Sequence, residues 1–243
     1  MESETIIEVR DLVKRFGSFI ANDHLNFTVL KGEIFGFLGA NGAGKTTAIR
    51  ILSGLSRPTS GYVNVAGIDA SRYPEQIKRS IGYMCQRFSL YEDLTVFENI
   101  RLYGGVYGLT IKEIRLRSDE MLSRLGIFDL RDRLIGSVPL GWRQKLAFSV
   151  AIFHRPKIVF LDEPTGGVDP VTRRQFWDLI YEASRAGITV FVTTHYMDEA
   201  EYCDRVCILS EGKIQAFGNP TDLKRSYGVA SMDEVFVKIA RNV

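Results

Sequence analysis

The sequence has no long apolar run, few cysteines and no marked excess of either charge. Its longest apolar runs, residues 158–161 and 188–192, have the length of strands, whereas a bilayer-spanning helix needs about 20 apolar residues. We therefore expect no transmembrane segment. The 31 basic and 29 acidic side chains give a formal net charge of +2. This balance offers no electrostatic reason to expect nucleic-acid binding.

Cysteine is represented by Cys85, Cys203 and Cys207 alone. This usage is typical of a reducing compartment and not of a disulfide framework. The spacing of Cys203 and Cys207 would put both on one helix face, but no suitably spaced histidine or third cysteine accompanies them. Buried small side chains are therefore favoured over a metal site. The polar, acidic residues 1–10 resemble neither a secretory signal nor a transit peptide, so we expect a cytoplasmic protein.

The N-terminal third of the chain predicts strands and then a helix. Leu25, Phe27 and Val29 alternate with polar residues, and residues 33–38 lead straight into a glycine-rich turn. Apolar residues at helical spacing then predict a helix over residues 46–55.

The remaining two thirds change from helices to an alternation of strands and helices. Thr95 and Glu98 form a capping-box pattern, which predicts the start of a helix. Further helices are predicted over residues 112–125 and after Pro139. Further along, strands at 158–161, 188–193 and 206–209 alternate with helices, one of which opens at Asp169-Pro170. We therefore expect an α/β fold with a largely parallel sheet, an N-terminal antiparallel β subdomain and an inserted helical subdomain over residues 87–153.

The glycine-rich turn has the pattern G-x-x-x-x-G-K-[ST] and predicts a P-loop NTPase core. Glycines let backbone N–H groups approach phosphate oxygens, and the helix that follows directs its positive end at them. We expect Lys45 to contact the β- and γ-phosphates and the Thr46 hydroxyl to bind Mg²⁺. The predicted ATP-binding residues of this loop are Gly39, Ala40, Asn41, Gly42, Ala43, Gly44, Lys45, Thr46 and Thr47.

Two adjacent carboxylates, Asp162 and Glu163, end the apolar strand that begins near Ile158. Ligands bind at the carboxyl ends of parallel strands. We expect Asp162 to organise Mg²⁺ through water and Glu163 to act as the general base on the attacking water.

With these motifs in this order, nearly the whole chain resembles the ABC ATPase family. The resemblance implies that Phe16 stacks on adenine, and that Gln86 contacts Mg²⁺ and the attacking water. It also implies that His195 contacts the γ-phosphate, and that Val168 and Asp169 form the loop through which two subunits communicate. Asp169 is in addition a candidate helix N-cap.

The family's signature stretch, Leu-Ser-Gly-Gly-Gln, is altered here. The aligned residues are Val138, Pro139, Leu140, Gly141 and Trp142. The serine and the first glycine are absent, and proline has no N–H to donate. The backbone donors of Leu140 and Gly141 at the start of a helix would still contact the γ-phosphate of ATP that a second subunit holds. Either two copies of this chain form a working homodimer, which we favour, or this is a degenerate half-site paired with a different ATPase subunit.

The resemblance is strongest to ABC-2-type exporter ATPases. Two features carry it: the Pro-Leu-Gly-Trp variant of the signature, and the segment 231–236. That segment lies in a predicted helical tail over residues 229–243. It implies an ATP-hydrolysing, Mg²⁺-dependent subunit that powers a transporter from the cytoplasmic face of the membrane. The partner would be a separate integral membrane subunit. The alternatives are a non-transport ABC ATPase linked to DNA repair or translation, and a small-molecule P-loop kinase. The kinase alternative does not account for the carboxylate pair, the signature-like helix and His195 in this order.

Overall fold

The computed structural model describes residues 4–86 and 90–241. In chain order its strands are β1 (Thr5–Phe16), β2 (Phe19–Leu30), β3 (Ile34–Gly39), β4 (Ser60–Val65), β5 (Ile68–Asp69), β6 (Ile81–Met84), β7 (Ile158–Asp162), β8 (Thr189–Thr194), β9 (Arg205–Ser210) and β10 (Lys213–Gly218). Its helices are α1 (Lys45–Leu52), α2 (Pro74–Ser80), α3 (Val96–Val106), α4 (Ile111–Leu125), α5 (Leu140–Ala151), α6 (Pro170–Arg185), α7 (Pro220–Tyr227) and α8 (Met232–Arg241). Short 3₁₀ turns lie at Phe128–Leu130, Ile135–Ser137 and Met197–Tyr202.

Two sheets form the framework. One has the strand order β2-β1-β4-β5 and is antiparallel. The other has the order β10-β9-β3-β8-β7-β6; β10 runs antiparallel to β9, and the remaining neighbours are parallel. The predicted α/β class, with a largely parallel sheet and an antiparallel β subdomain, is confirmed.

Aromatic side chains fill the space between the two sheets. Phe27 of β2 lies 5.4 Å from Phe37 of β3, and Phe37 lies 5.3 Å from Phe191 of β8, measured between ring centroids. Every residue of β3 is buried, as a central strand covered on both faces requires. This packing holds the carboxyl end of β3 in place, which is where the glycine-rich loop begins.

The helical region begins as the capping box predicts. The Thr95 hydroxyl accepts a hydrogen bond from the Glu98 N–H, and the Glu98 carboxylate accepts one from the Thr95 N–H. Thr110 and Glu113 repeat this arrangement at the start of α4. Residues 1–3, 87–89 and 242–243, which include the predicted start of the insert and the end of the tail, lie outside the described residues. The domain boundaries at 87–153 and 229–243 therefore stay a prediction.

Two details of the sequence interpretation are wrong. The helix predicted over residues 46–55 ends at Leu52, because Gly54 takes a left-handed backbone conformation (φ 72°) that stops it, and Leu55 is exposed. Cys203 and Cys207 do not share a helix face, since Cys207 lies in β9 and Cys203 precedes that strand. Both cysteines are buried, and burial raises the pKa of each thiol. Within residues 4–86 and 90–241, no helix combines the length and the apolar character needed to cross a membrane.

His154 follows α5 and stacks on Tyr107, which follows α3. Their ring centroids are 3.5 Å apart, and the ring planes differ by 4°. Burial lowers the pKa of His154 from 6.5 to about 4. The unfolded chain therefore binds more protons than the folded chain between these two pH values. The contribution of His154 to the free energy of unfolding is therefore fully present above pH 6.5 and is lost as the pH falls toward about 4.

Replacing His154 by phenylalanine is expected to remove this acid sensitivity, because the variant keeps a flat ring against Tyr107 and has no proton to bind. Between about pH 7 and about pH 5 we expect the wild type to lose about 1 to 2 kcal/mol more unfolding free energy than the variant, allowing for the partly exposed ring. Differential scanning calorimetry at both pH values measures this difference. Equal losses in the two proteins would contradict it.

Candidate functional site

The chemistry-bearing residues gather at the carboxyl ends of four parallel strands. β3 ends at Gly39, where the glycine-rich loop starts, and Gln86 lies two residues after β6. β7 ends at Asp162, followed by Glu163, and His195 follows β8. Because these strands are neighbours in the order β3-β8-β7-β6, the side chains converge on one edge of the sheet.

The glycine-rich loop has the backbone that its glycines allow. Gly42 and Gly44 have φ values of 84° and 103°. A Cβ atom at Gly44 would collide with the carbonyl oxygen of Ala21, so only glycine fits there. Among the residues that the structure describes, no side chain caps the start of α1, and its first N–H groups are left for a ligand. An uncapped helix start after such a loop is suited to binding phosphate.

Lys45, the first residue of α1, is buried in this loop. Its Nζ atom donates to the carbonyl oxygens of Gly39 at 2.7 Å and Ala40 at 3.1 Å, and lies 3.5 Å from Glu163 Oε1. Burial lowers the pKa of Lys45, and the carboxylates of Glu163 and Asp162 oppose that shift. The predicted phosphate-binding lysine and the predicted general base are thus in direct contact.

Glu163 is the point where the predicted catalytic residues meet. Gln86 Nε2 donates to Glu163 Oε2 at 2.9 Å, and His195 Nδ1 lies 3.1 Å from the same oxygen. The backbone of Glu163 is left-handed, with φ 48°, which costs about 1 kcal/mol or more for a residue other than glycine. A strained residue that directs its carboxylate into a shared polar cluster is typical of a functional site.

Thr193 was not singled out from the sequence, yet it positions both carboxylates. It lies opposite Asp162 in the β7–β8 register, and its hydroxyl donates to Asp162 Oδ1 at 2.6 Å. The Glu163 N–H donates to the Thr193 carbonyl oxygen at 3.1 Å. Burial raises the pKa of Asp162, and the bond from Thr193 opposes that shift. A threonine two residues before His195, at the end of an apolar strand, was the available signal.

The remaining predicted nucleotide contacts lie around the loop. Thr46 is exposed on the first turn of α1, and Thr47 is half-buried. Phe16 is 57% exposed at the tip of the β1–β2 hairpin, with Lys14 Nζ 5.0 Å from its ring centroid. Phe19, opposite Phe16 in the hairpin, is 62% exposed and was not predicted. An exposed aromatic ring at this position is free to stack on a base.

The signature-like segment begins α5. Pro139 is the N-cap, and Leu140 is 43% exposed on the first turn. A Cβ at Gly141 would lie 2.8 Å from Thr172 Cγ2, so glycine lets α5 pack closely on α6. Trp142 carries Lys145 Nζ over its ring at 4.3 Å, and Val138 is buried. Across the described parts of the chain, no hydrogen bond or ion pair joins residues 138–142 to the loop of residues 39–47.

Asp169 is the N-cap of α6, as predicted. Its Oδ1 atom accepts from the N–H groups of Val171 and Thr172, each at 3.0 Å, and the Thr172 hydroxyl donates to Oδ2 at 2.6 Å. These bonds, the one from the Thr172 side chain foremost, lower the pKa of Asp169. Val168 beside it is half-buried. The predicted contact of both residues with a second subunit stays a prediction.

A parallel sheet with a phosphate loop, a buried aspartate and an adjacent glutamate defines the class of P-loop nucleotide hydrolases. Residues 22–166 match the ABC transporter family, and the chain belongs to that family. ATP-binding subunits of this family hydrolyse ATP to drive transport.

Named relatives agree with this membership. The chain is 48% identical over 221 residues to the probable multidrug ABC transporter ATP-binding protein YbhF of Escherichia coli (strain K12). That match covers 91% of this chain and 38% of the relative, so the chain spans well under half of that protein. It is 39% identical over 223 residues to the daunorubicin/doxorubicin resistance ATP-binding protein DrrA of Streptomyces peucetius, covering 91% of this chain and 68% of that one.

Solved structures show the same fold. An ATP-binding subunit of an ABC transporter superposes with a TM-score of 0.87 at 30% identity, covering 97% of this chain and 100% of that one. A dimeric ATP-binding cassette in a post-hydrolysis state, bound to ADP and phosphate, superposes with a TM-score of 0.79 at 25% identity, covering 88% and 98%. YbhF and the first of these structures are ABC transporter components, so the alternative of a non-transport ABC ATPase is not favoured.

Proposed function

We propose that this chain is the energy-supplying subunit of an ABC-type exporter, and that two copies close head-to-tail on ATP. The cluster of Lys45, Gln86 and His195 around Glu163 carries the proposal, because it places a base, a cation and two polar side chains at the end of one phosphate loop. Such a cluster fits hydrolysis of a phosphoanhydride better than simple nucleotide storage.

In the proposed reaction, ATP lies on the N–H groups of the phosphate loop, with its base on Phe16. Lys45 leaves the Gly39 and Ala40 carbonyl oxygens for the phosphates. Glu163 accepts a proton from a water molecule that attacks the γ-phosphorus, while Gln86 and His195 orient that water. The bond between the β–γ bridging oxygen and the γ-phosphorus breaks, so that ADP and inorganic phosphate are released.

The proposal includes Mg²⁺ bound through oxygen ligands. Mg²⁺ prefers one or two protein oxygens together with phosphates and water. The exposed Thr46 hydroxyl at the start of α1 and the buried, Thr193-bound carboxylate of Asp162 fit that preference, as does the Gln86 amide. When bound, the ion would neutralise negative charge on the β- and γ-phosphates.

A second copy would complete the site. Among the described residues, the signature-like segment makes no bond with the phosphate loop of its own chain. Leu140 is exposed on the first turn of α5, whose N-cap Pro139 makes no side-chain hydrogen bond. The positive end of that helix is suited to the γ-phosphate held by a partner. The dimeric neighbour bound to ADP and phosphate supports this arrangement. We favour two identical copies over pairing with a different ATPase subunit.

The membrane partner is proposed to dock on the helical region. Leu102 and Val106 lie one turn apart on α3 and are 41% and 70% exposed, and Tyr91 is 54% exposed. Tyr91 lies near the start of the predicted helical subdomain of residues 87–153, of which residues 87–89 lie outside the described residues. An integral membrane subunit bound here would hold the chain on the cytoplasmic face of the membrane. The drug-resistance relatives favour export as the direction.

Replacing Val106 by aspartate is expected to prevent copurification with that integral membrane subunit while leaving the fold intact, because the position is exposed. Replacing Val237, a 45% exposed valine on α8, by aspartate is the matched control and should retain the subunit. Affinity purification from detergent-solubilised membranes, followed by mass spectrometry, measures the difference. A wild-type chain that captures nucleic-acid-bound or ribosomal proteins and no integral membrane protein would contradict the proposal.

A further inference from the structure

Asn22 is a fully buried polar residue of β2 that lies directly behind the phosphate loop. Its Nδ2 atom donates to the carbonyl oxygen of Gly44 at 3.1 Å. A Cβ at Gly44 would lie only 2.7 Å from Nδ2, so a glycine is needed for this close contact. The Oδ1 atom of Asn22 is also buried, and it accepts no hydrogen bond from any residue that the structure describes.

The two polar atoms of this amide have opposite consequences. A buried acceptor without a partner is destabilising, because its hydrogen bond with water is lost and not replaced. An apolar side chain of the same size would avoid that loss. The amide therefore has to be explained by the bond that Nδ2 makes.

That bond helps to fix the direction of a peptide unit in the loop, because the Gly44 carbonyl oxygen accepts both from Asn22 Nδ2 and, at 3.0 Å, from the Ala48 N–H of α1. In a trans peptide the C=O and N–H groups point in opposite directions. The Gly44 carbonyl and the Lys45 N–H belong to one peptide, so Asn22 turns the Lys45 N–H away from β2 and toward the open side of the loop. The preceding peptide is held in the same way, because the Gly212 N–H donates to the Ala43 carbonyl oxygen at 3.1 Å.

We infer that Asn22 is a positioning residue for phosphate binding, an inference that rests on the proposed role of the loop as an ATP site. Asn22 touches no reacting atom. It holds the Lys45 N–H in the direction in which that group can donate to a phosphate oxygen, and Gly212 does the same for the Gly44 N–H. The unpartnered Oδ1 is the energetic cost of this pre-orientation.

Replacing Asn22 by leucine, which has a similar volume and no donor, should separate stability from affinity. We expect the dissociation constants of ATP and GTP to rise equally, by about threefold to tenfold, because one net hydrogen bond no longer orients the loop and the loop contacts phosphate and not base. The kcat at saturating ATP should stay near the wild-type value. The melting temperature should be unchanged or higher by about 2 to 4 °C, because a buried unpaired acceptor is removed.

Asn99 offers a matched control of the same residue type and burial outside the ATP pocket. Its Oδ1 accepts from the Tyr91 N–H at 2.8 Å, and its Nδ2 donates to the carbonyl oxygens of Tyr91 and Thr95, each at 3.0 Å. Replacing Asn99 by leucine should therefore lower the melting temperature and leave ATP affinity unchanged. Replacing Asn22 by valine, which suits a strand, is a second test should the leucine variant fail to fold.

Isothermal titration calorimetry, ATPase kinetics and thermal unfolding of these variants test the inference. Equal loss of ATP and GTP affinity in a folded Asn22 variant supports it. Unchanged affinity in the folded Asn22 variant, or a loss of affinity for only one of the two nucleotides, would overturn the inference. The proposed function would stand in that case, provided that the wild type binds ATP. A wild type that neither binds nor hydrolyses ATP would instead overturn the proposed function itself.

Discussion

Replacing Glu163 by glutamine is expected to slow ATP turnover by about 10²- to 10⁴-fold while ATP still binds, because the variant lacks the base that accepts a proton from the attacking water. The side chain keeps its length, so Gln86 and His195 retain a polar neighbour in place of the Glu163 carboxylate. The ion pair with Lys45 is lost, which frees that cation for the phosphates. We therefore expect ATP affinity in the variant to equal or exceed that of the wild type.

Steady-state ATPase kinetics and nucleotide titration measure the two effects separately. The matched control is the replacement of Glu182, an exposed carboxylate paired with Arg124, by glutamine, which should change neither value. Normal turnover in the Glu163 variant would show that another group is the base. Loss of ATP binding would show that Glu163 is needed to build the phosphate loop.

Much of the fold could be predicted because local patterns and tertiary packing agree. The Thr95–Glu98 capping box starts α3 where it was expected, and Asp169 caps α6. The alternation of apolar strands and helices gives the parallel sheet. The helix predicted over residues 46–55 was extended too far, because helical spacing alone did not show that Gly54 would adopt a positive φ.

The site could be predicted as a set of residues but not as a set of contacts. The sequence indicated Lys45 and Glu163 through the phosphate-loop pattern and the carboxylate pair, and Gln86 and His195 through the family resemblance. It could not show that three of them converge on the Glu163 carboxylate, since that depends on strand order and on the left-handed backbone of Glu163. For Asp169 the sequence predicted two roles, a helix N-cap and a contact between subunits. The structure confirms the N-cap.

The sequence did not reveal the residues that act by positioning another residue. Thr193 and Asn22 carry no motif, and their roles depend on register and on contacts between distant segments. A threonine at a strand end or an asparagine in a strand is unremarkable until its partner is known. Thr193 becomes informative only opposite Asp162, and Asn22 only against Gly44.

The second prediction concerns the shared site, for which two variants are needed. Replacing Lys45 by methionine removes the phosphate-binding cation and should abolish ATP binding at the loop of the altered chain. Replacing Leu140 by aspartate puts a negative charge where the partner's triphosphate would lie. Because aspartate is favourable at a helix N-terminus, the Leu140 variant should fold normally. Each variant alone is expected to have only background ATPase activity.

Mixing the two variants changes the outcome only if the sites are shared head-to-tail. In a mixed dimer, one site contains both substitutions and the other contains neither. Half of randomly formed dimers are mixed and half of their sites are intact, so about a quarter of wild-type sites should be restored. Replacing Leu116, a 63% exposed leucine on α4, by aspartate serves as the charge control and should leave activity unchanged.

The most direct test of the account is therefore ATP turnover in an equimolar mixture of the Lys45→Met and Leu140→Asp chains. We predict activity well above the sum of the two variants measured separately, approaching about a quarter of the wild-type rate. A mixture of folded chains that shows no more than that sum would contradict a homodimer in which each ATP lies between the phosphate loop of one copy and the Pro139–Trp142 segment of the other.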